Sequence, residues 1–99
     1  MSNLPSPFGL QRTMSLSAAE FATSISKLGA HSVSAAGNPV FELEGGRVEV
    51  QYAPAAHKTL GGLLALPQAI VTLVFDGASD EAQWEFLHRF DIAFQRGGG

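Results

Sequence analysis

Apolar positions crowd most densely between Leu66 and Gln95, LPQAIVTLVFDGASDEAQWEFLHRFDIAFQ, a stretch that holds five of the nine aromatic residues. Within it, Gln68–Asp76 alternates in a way that leaves neither side polar. Ala69, Val71, Leu73 and Phe75 fall on one face, and Ile70, Thr72 and Val74 fall on the other before Asp76. Such a run predicts a strand buried on both faces, at least in part. Asp76-Gly77 is turn chemistry. After it, Ser79 or Asp80 caps a helix over about 80–96, with Phe86, Leu87, Phe90, Ala93 and Phe94 on one face and Trp84 on its flank. Glu85, His88, Arg89, Ile92 and Gln95 lie opposite.

A second helix is predicted at about 17–28. Ser17-Ala-Ala-Glu20 fits a capping box, and Leu16 with Phe21 fits a hydrophobic staple. Phe21, Ile25 and Leu28 form a narrow apolar stripe, and Gly29 stands where a left-handed residue ends a helix. His31–Ala36 alternates weakly around Val33 and reads as a short edge strand or a loop. Val40–Tyr52 reads as a hairpin about Gly45-Gly46, with Glu44 opposite Arg47, Leu43 opposite Val48, Glu42 opposite Glu49 and Phe41 opposite Val50. Phe41, Leu43, Val48, Val50 and Tyr52 then share an apolar face. In Ala53–Pro67, Pro54 ends the strand and Leu60, Leu63, Leu64 and Leu66 are too apolar for a solvated loop. This segment is expected to be a flap over something, with a strand at 62–66 as the alternative. Residues 1–14, with Pro5, Pro7 and Gly9, read as a tail.

These elements predict an α+β fold, a two-layer sandwich in α-β-β-β-α order. An antiparallel sheet of three or four strands carries the N- and C-terminal helices on one face. The expected boundaries are a flexible tail at 1–14, one domain at 15–96 and a flexible glycine tail at 97–99. Two helices cover one sheet face only. Val40, Ile70, Thr72 and Val74 on the other are left wanting a cover, which the leucine-rich flap, a second copy, another protein or a ligand would supply.

Composition sharpens that expectation. Only 15% of the residues are charged against 45% hydrophobic, where roughly 25% charged is usual for soluble domains. With so few charges, apolar surface is expected to remain open to a partner. The net charge of −3 and the six scattered Lys and Arg give no concentrated positive field for nucleic acid or an anionic membrane. There is no cysteine, which excludes disulfides, thiolate catalysis and Cys-ligated metal centres. MSNLPSPFGLQR lacks the pattern of a secretory signal, and no apolar run approaches the ~20 residues of a spanning helix. A cytoplasmic location is the expectation.

Chemical candidates are sparse. His31, His57 and His88 lack the spacing of helical metal pairs and read as unrelated surface histidines, although Trp84 and Asp91 flank His88. Asp76 sits between a strand and a helix, but Asp-Gly turn propensity accounts for it. Glu42 and Glu49 are close in the predicted register and read as a solvated strand face. His57-Lys58-Thr59-Leu60-Gly61-Gly62 lacks the spacing of a phosphate-binding loop. The terminal Gln95-Arg96-Gly97-Gly98-Gly99 resembles the diglycine tails of ubiquitin-like modifiers, which thread narrow enzyme sites because glycine has no side chain. Those modifiers carry a strand before the tail, where this chain predicts a helix, and a frayed end is the reading taken.

The expected function is a non-enzymatic protein-interaction domain. It self-associates, or binds another protein, through Val40, Leu63, Leu64, Ile70, Thr72, Val74 and Ile92, with no catalytic residue, metal or cofactor. The alternatives are a carrier of a small apolar ligand held between flap and sheet, or a small enzyme using His57, His88 or Asp76.

Overall fold

Seven elements build the chain in a computed structural model that describes residues 8–60 and 64–94, and only the backbone at 8, 56–60 and 64–66. They are β1 (Phe8–Met14), α1 (Ala18–Lys27), β2 (Ser32–Val33), β3 (Pro39–Leu43), β4 (Gly46–Leu60), β5 (Leu64–Asp76) and α2 (Asp80–Ala93). The strands form one antiparallel sheet in the order β1-β5-β4-β3-β2. The fold is thus the expected α+β class, with five strands rather than three or four.

Both helices lie where the capping chemistry puts them. The Ser17 hydroxyl accepts from the Glu20 amide at 3.1 Å and the Glu20 carboxylate accepts from the Ser17 amide at 2.9 Å. Leu28 caps the other end of α1, and Gly29 follows at φ +103°. For α2, the Ser79 hydroxyl accepts from the Ala82 amide at 3.1 Å. The helix ends on Phe94, and residues 95–99, the expected glycine tail among them, lie outside the described residues.

Ile25 and Leu28 from the α1 side, with Phe86, Phe90, Ala93 and Phe94 from the α2 side, pack on the sheet face of Phe41, Val48, Val50, Val71, Leu73 and Phe75. Rings link the layers: Phe86 lies 5.5 Å from Phe41 and 6.2 Å from Phe75, while Phe94 stacks on Phe90 at 4.2 Å and meets Phe21 at 5.9 Å. Offset and edge contacts of this kind add to the burial itself, ~0.5–1.5 kcal/mol per pair.

Three expectations need correction. Residues 8–14, expected in the tail, form β1 and pair with β5 without a break from Phe8↔Phe75 to Met14↔Ala69. The half-buried Leu10 and Met14 pack on the core, and Arg12, on the same side, reaches Asp91 of α2 at 3.4 Å. Residues 1–7 lie outside the described residues.

The β3–β4 register also differs, by two residues. Phe41 faces Val48, Glu42 faces Arg47 and Leu43 faces Gly46. The turn is Glu44-Gly45, with Gly45 at φ +85°. Gly46 belongs to the strand because the chain passes there against Asp76–Ala78: a Cβ on it would stand 2.6 Å from the Ala78 nitrogen. The shift keeps every side chain on its expected face and replaces the unfavourable Glu42–Glu49 pair with Glu42 opposite Arg47, at 3.9 Å.

Finally, Pro54 does not end its strand. β4 runs on to Leu60 and pairs with β5 through Lys58↔Leu66, Thr59↔Ala65 and Leu60↔Leu64, with a bulge between Ala55 and Lys58. The described part of the flap is therefore a two-stranded ribbon, and residues 61–63 between the strands lie outside the described residues. Proline is tolerated because β3 pairs with β4 only as far as Glu49, so Pro54 has a free backbone edge on that side.

Candidate interaction surface

Strand alternation sends Gln68, Ile70, Thr72, Val74 and Asp76 of β5 to the face away from the helices. The register aligns each with its neighbours. Val74 lies between Glu49 and Gly9, Thr72 between Gln51 and Gln11, Ile70 between Ala53 and Thr13, and Arg47 stands beside Asp76. Val40 joins the Val74 row through Glu49. Ile70 and Val74 are the apolar side chains of β5 on this face, with Ala53 beside Ile70, and the polar row Gln51-Thr72-Gln11 runs between them. Among the described residues no helix packs on this face.

The expected contact residues are not one surface. Val40 is 8% exposed and Ile70 36%, while Thr72 and Val74 are half-buried. These four share the face away from the helices, but Val40, expected to want a cover, is already buried within the single chain. Ile92, 59% exposed, sits on the outer side of α2 in the opposite layer. Leu63 lies outside the described residues, and Leu64 contributes its backbone to β5 opposite Leu60.

Charge gathers at one end of the open face. Arg47 lies 3.9 Å from Glu42 and 3.8 Å from Asp76, all exposed, and such pairs contribute little to stability. Glu49 is bound differently: its Oε2 accepts from Asn38 Nδ2 at 2.8 Å and from Ser34 Oγ at 2.9 Å. These hydrogen bonds, Asn38 first and then Ser34, hold its carboxyl below the ordinary carboxylate value, against a smaller opposing effect of burial. The Ser34 hydroxyl also accepts from the Asn38 amide at 3.2 Å. One carboxylate therefore ties the β2–β3 turn to β4.

No catalytic cluster forms from the histidines. The His31 ring packs 5.0 Å from Phe41, with Nδ1 3.1 Å from the Gly29 carbonyl oxygen. His57 lends its backbone to β4. His88 lies on the outside of α2, and Asp91, which flanks it, pairs with Arg12. Asp76 pairs with Arg47 at the far end of β5. Among the described residues no three His, Asp or Glu side chains come together to hold a metal ion.

One apolar groove of about 250 Å³ opens between α1 and the β2–β3 turn, lined by Phe21, Ile25, His31, Val33 and Pro39 among others. It is small against the ~300–1,000 Å³ of ligand pockets. Among the described residues no helix is long and apolar enough to cross a membrane.

Two features escaped the sequence reading. Trp84, placed on the flank of the apolar helix face, is 73% exposed. Its neighbours one turn away, Glu81 and His88, carry the signal that it sits on the outer side. The other is the edge strand β1. Comparison with protein-family models, curated proteins and solved structures yields no match.

Proposed function

We propose that this chain is a non-enzymatic interaction domain that self-associates through its open sheet face. The observation that carries the reading is the run Ile70, Thr72 and Val74 along β5, which faces outward with no helix over it among the described residues. An antiparallel sheet with one solvated face normally alternates apolar inward and polar outward; here β5 also places Ile70 and Val74 outward, on either side of Thr72.

A second copy suits this face because the charged end, Glu42, Arg47 and Asp76, lies to one side of the apolar centre. A two-fold axis near Thr72 stacks the two centres at the ~10 Å spacing of packed sheets and carries each charged end away from its own copy. The glutamines at 11 and 51, on either side of Thr72, then lie within the contact next to the axis.

Light scattering on a sizing column tests it. The expected result is an assembly larger than one chain for the wild type and a smaller one for Val74→Asp, with the circular dichroism of both unchanged. A wild-type monomer at high micromolar concentration overturns the proposal.

A further inference from the structure

The sheet has two edges, β1 and β2, and among the described residues they differ in length. At one side β2 is two residues long, and brevity is a common guard against unwanted pairing. At the other, β1 runs for seven residues, FGLQRTM, with no proline, no lysine and no break in its register with β5. Its one charge, Arg12, points to the helix side and is met by Asp91. Short length, proline, lysine and a bulge, four of the devices that blunt an edge strand, are missing from β1, and the inward charge of Arg12 is neutralised by Asp91.

We infer that β1 pairs edge to edge with β1 of a second copy, antiparallel about Gln11, making a continuous ten-stranded sheet. The sequence is self-complementary in that register. Gln11 meets its own copy on the axis, where two exposed carboxamides can exchange hydrogen bonds. Gly9 falls opposite Thr13, Phe8 opposite Met14, and Leu10 opposite Arg12, so no like charges stand directly opposite. The Arg12–Asp91 pair shows which flank of α2 overhangs this edge. Leu87 lies one turn before Asp91, and Trp84 a turn before that, on the same flank. Trp84 is 73% exposed in the single chain, and the two-fold axis that joins the strands brings the two α2 flanks to face each other. An isologous contact of this kind closes on itself. This edge contact is independent of the sheet-face contact, and the two together give a dimer of dimers.

Gln11 is exposed, so Gln11→Lys and Gln11→Glu leave the fold intact and place like charges across the axis. Each variant alone is expected to self-associate roughly tenfold more weakly than the parent, and an equimolar mixture to recover association. Val74→Asp serves as the background. There the parent is expected to be a dimer by light scattering and the Gln11→Lys form a monomer. Emission of the single tryptophan is expected to shift blue as the dimer forms. A Val74→Asp monomer, or a Lys and Glu mixture no tighter than either alone, overturns the edge contact and leaves the face contact standing. Assembly that is lost with Gln11→Lys but untouched by Val74→Asp does the reverse. Tryptophan emission that stays that of an exposed ring in the dimer overturns the pairing of the α2 flanks.

Discussion

Replacing Gly46 with alanine tests whether the β3–β4 turn is held by the β5–α2 turn. The backbone at Gly46 is not in the left-handed region, so an added methyl group costs nothing in φ. Its cost is crowding. The new Cβ would stand 2.6 Å from both the Ala78 nitrogen and the Gly77 carbonyl carbon, and closer still to the Asp76 carbonyl oxygen. All three are backbone atoms, so no rotamer change relieves the contact. β4 and the 76–78 turn must separate, which strains the Ser79 amide to Glu44 carbonyl hydrogen bond of 3.2 Å and the Arg47↔Asp76 end of the β4–β5 pairing. Overpacking of this kind costs ~1–3 kcal/mol, and one backbone hydrogen bond adds ~0.5–1.5 kcal/mol. The expected loss is therefore ~2–4 kcal/mol, or a melting temperature lower by roughly 10–25 °C for a domain of this size. Gly29→Ala is the control. Gly29 has φ +103° and nothing within 4 Å of its Cβ position, so only the left-handed penalty of ~1–2 kcal/mol applies. Urea unfolding followed by circular dichroism compares the two. If Gly46→Ala loses no more stability than Gly29→Ala, the close approach does not hold the turn.

Two further outcomes follow from local chemistry. The Glu49 carboxyl sits below its ordinary value because Asn38 and Ser34 donate to it, so its stabilising contribution is complete above the unfolded value of about 4.3 and fades as pH falls through the lower folded value. The difference in urea midpoint between wild type and Glu49→Gln is thus expected to be constant from pH 7 to about 5 and to shrink below about 4; a gap that widens on acidification refutes this. Ser17→Ala removes the acceptor for the Glu20 amide and is expected to cost ~1 kcal/mol in thermal or urea unfolding, where no change would mean that the capping box does not stabilise α1.

Both helices were legible because their signals are local. Ser17, Glu20 and Gly29, or Ser79 and the spacing of Phe86, Phe90 and Phe94, act within a few residues of where they stand. The part of β5 from Gln68 to its end at Asp76 was legible for the same reason, whereas its start at Leu64 fell in the segment read as a flap. The parts that were not depend on distant chain. β1 alternates Leu10, Arg12 and Met14 on its inner side, and the charge hides the alternation; Arg12 fits there because Asp91, on the last helix, meets it. Gly45-Gly46 looks like a two-glycine turn, and only the passage of residues 76–78 shows that Gly46 is a strand residue. Pro54 reads as a stop because proline needs a free edge, and the length of β3, which supplies one, is not written near it. The open face was legible as apolar positions on β5, but not that Gln11 and Gln51 stand beside Thr72, since β1 was not foreseen and the strand order was unknown.

The place of β1 has a consequence for how the chain acquires its structure. The first strand borders the fifth, so Phe8 meets Phe75 only after most of the chain has been made. α1 and the β3–β4 hairpin form from near neighbours, whereas closing the sheet requires a loop spanning the whole middle of the sequence, a cost that grows slowly with length but slows folding. On a ribosome, residues 8–14 wait without a partner until β5 emerges. Moving FGLQRTM to follow α2 through a linker would let the strand arrive after its partner, and the order of its arrival would then no longer limit the rate at which the sheet is completed.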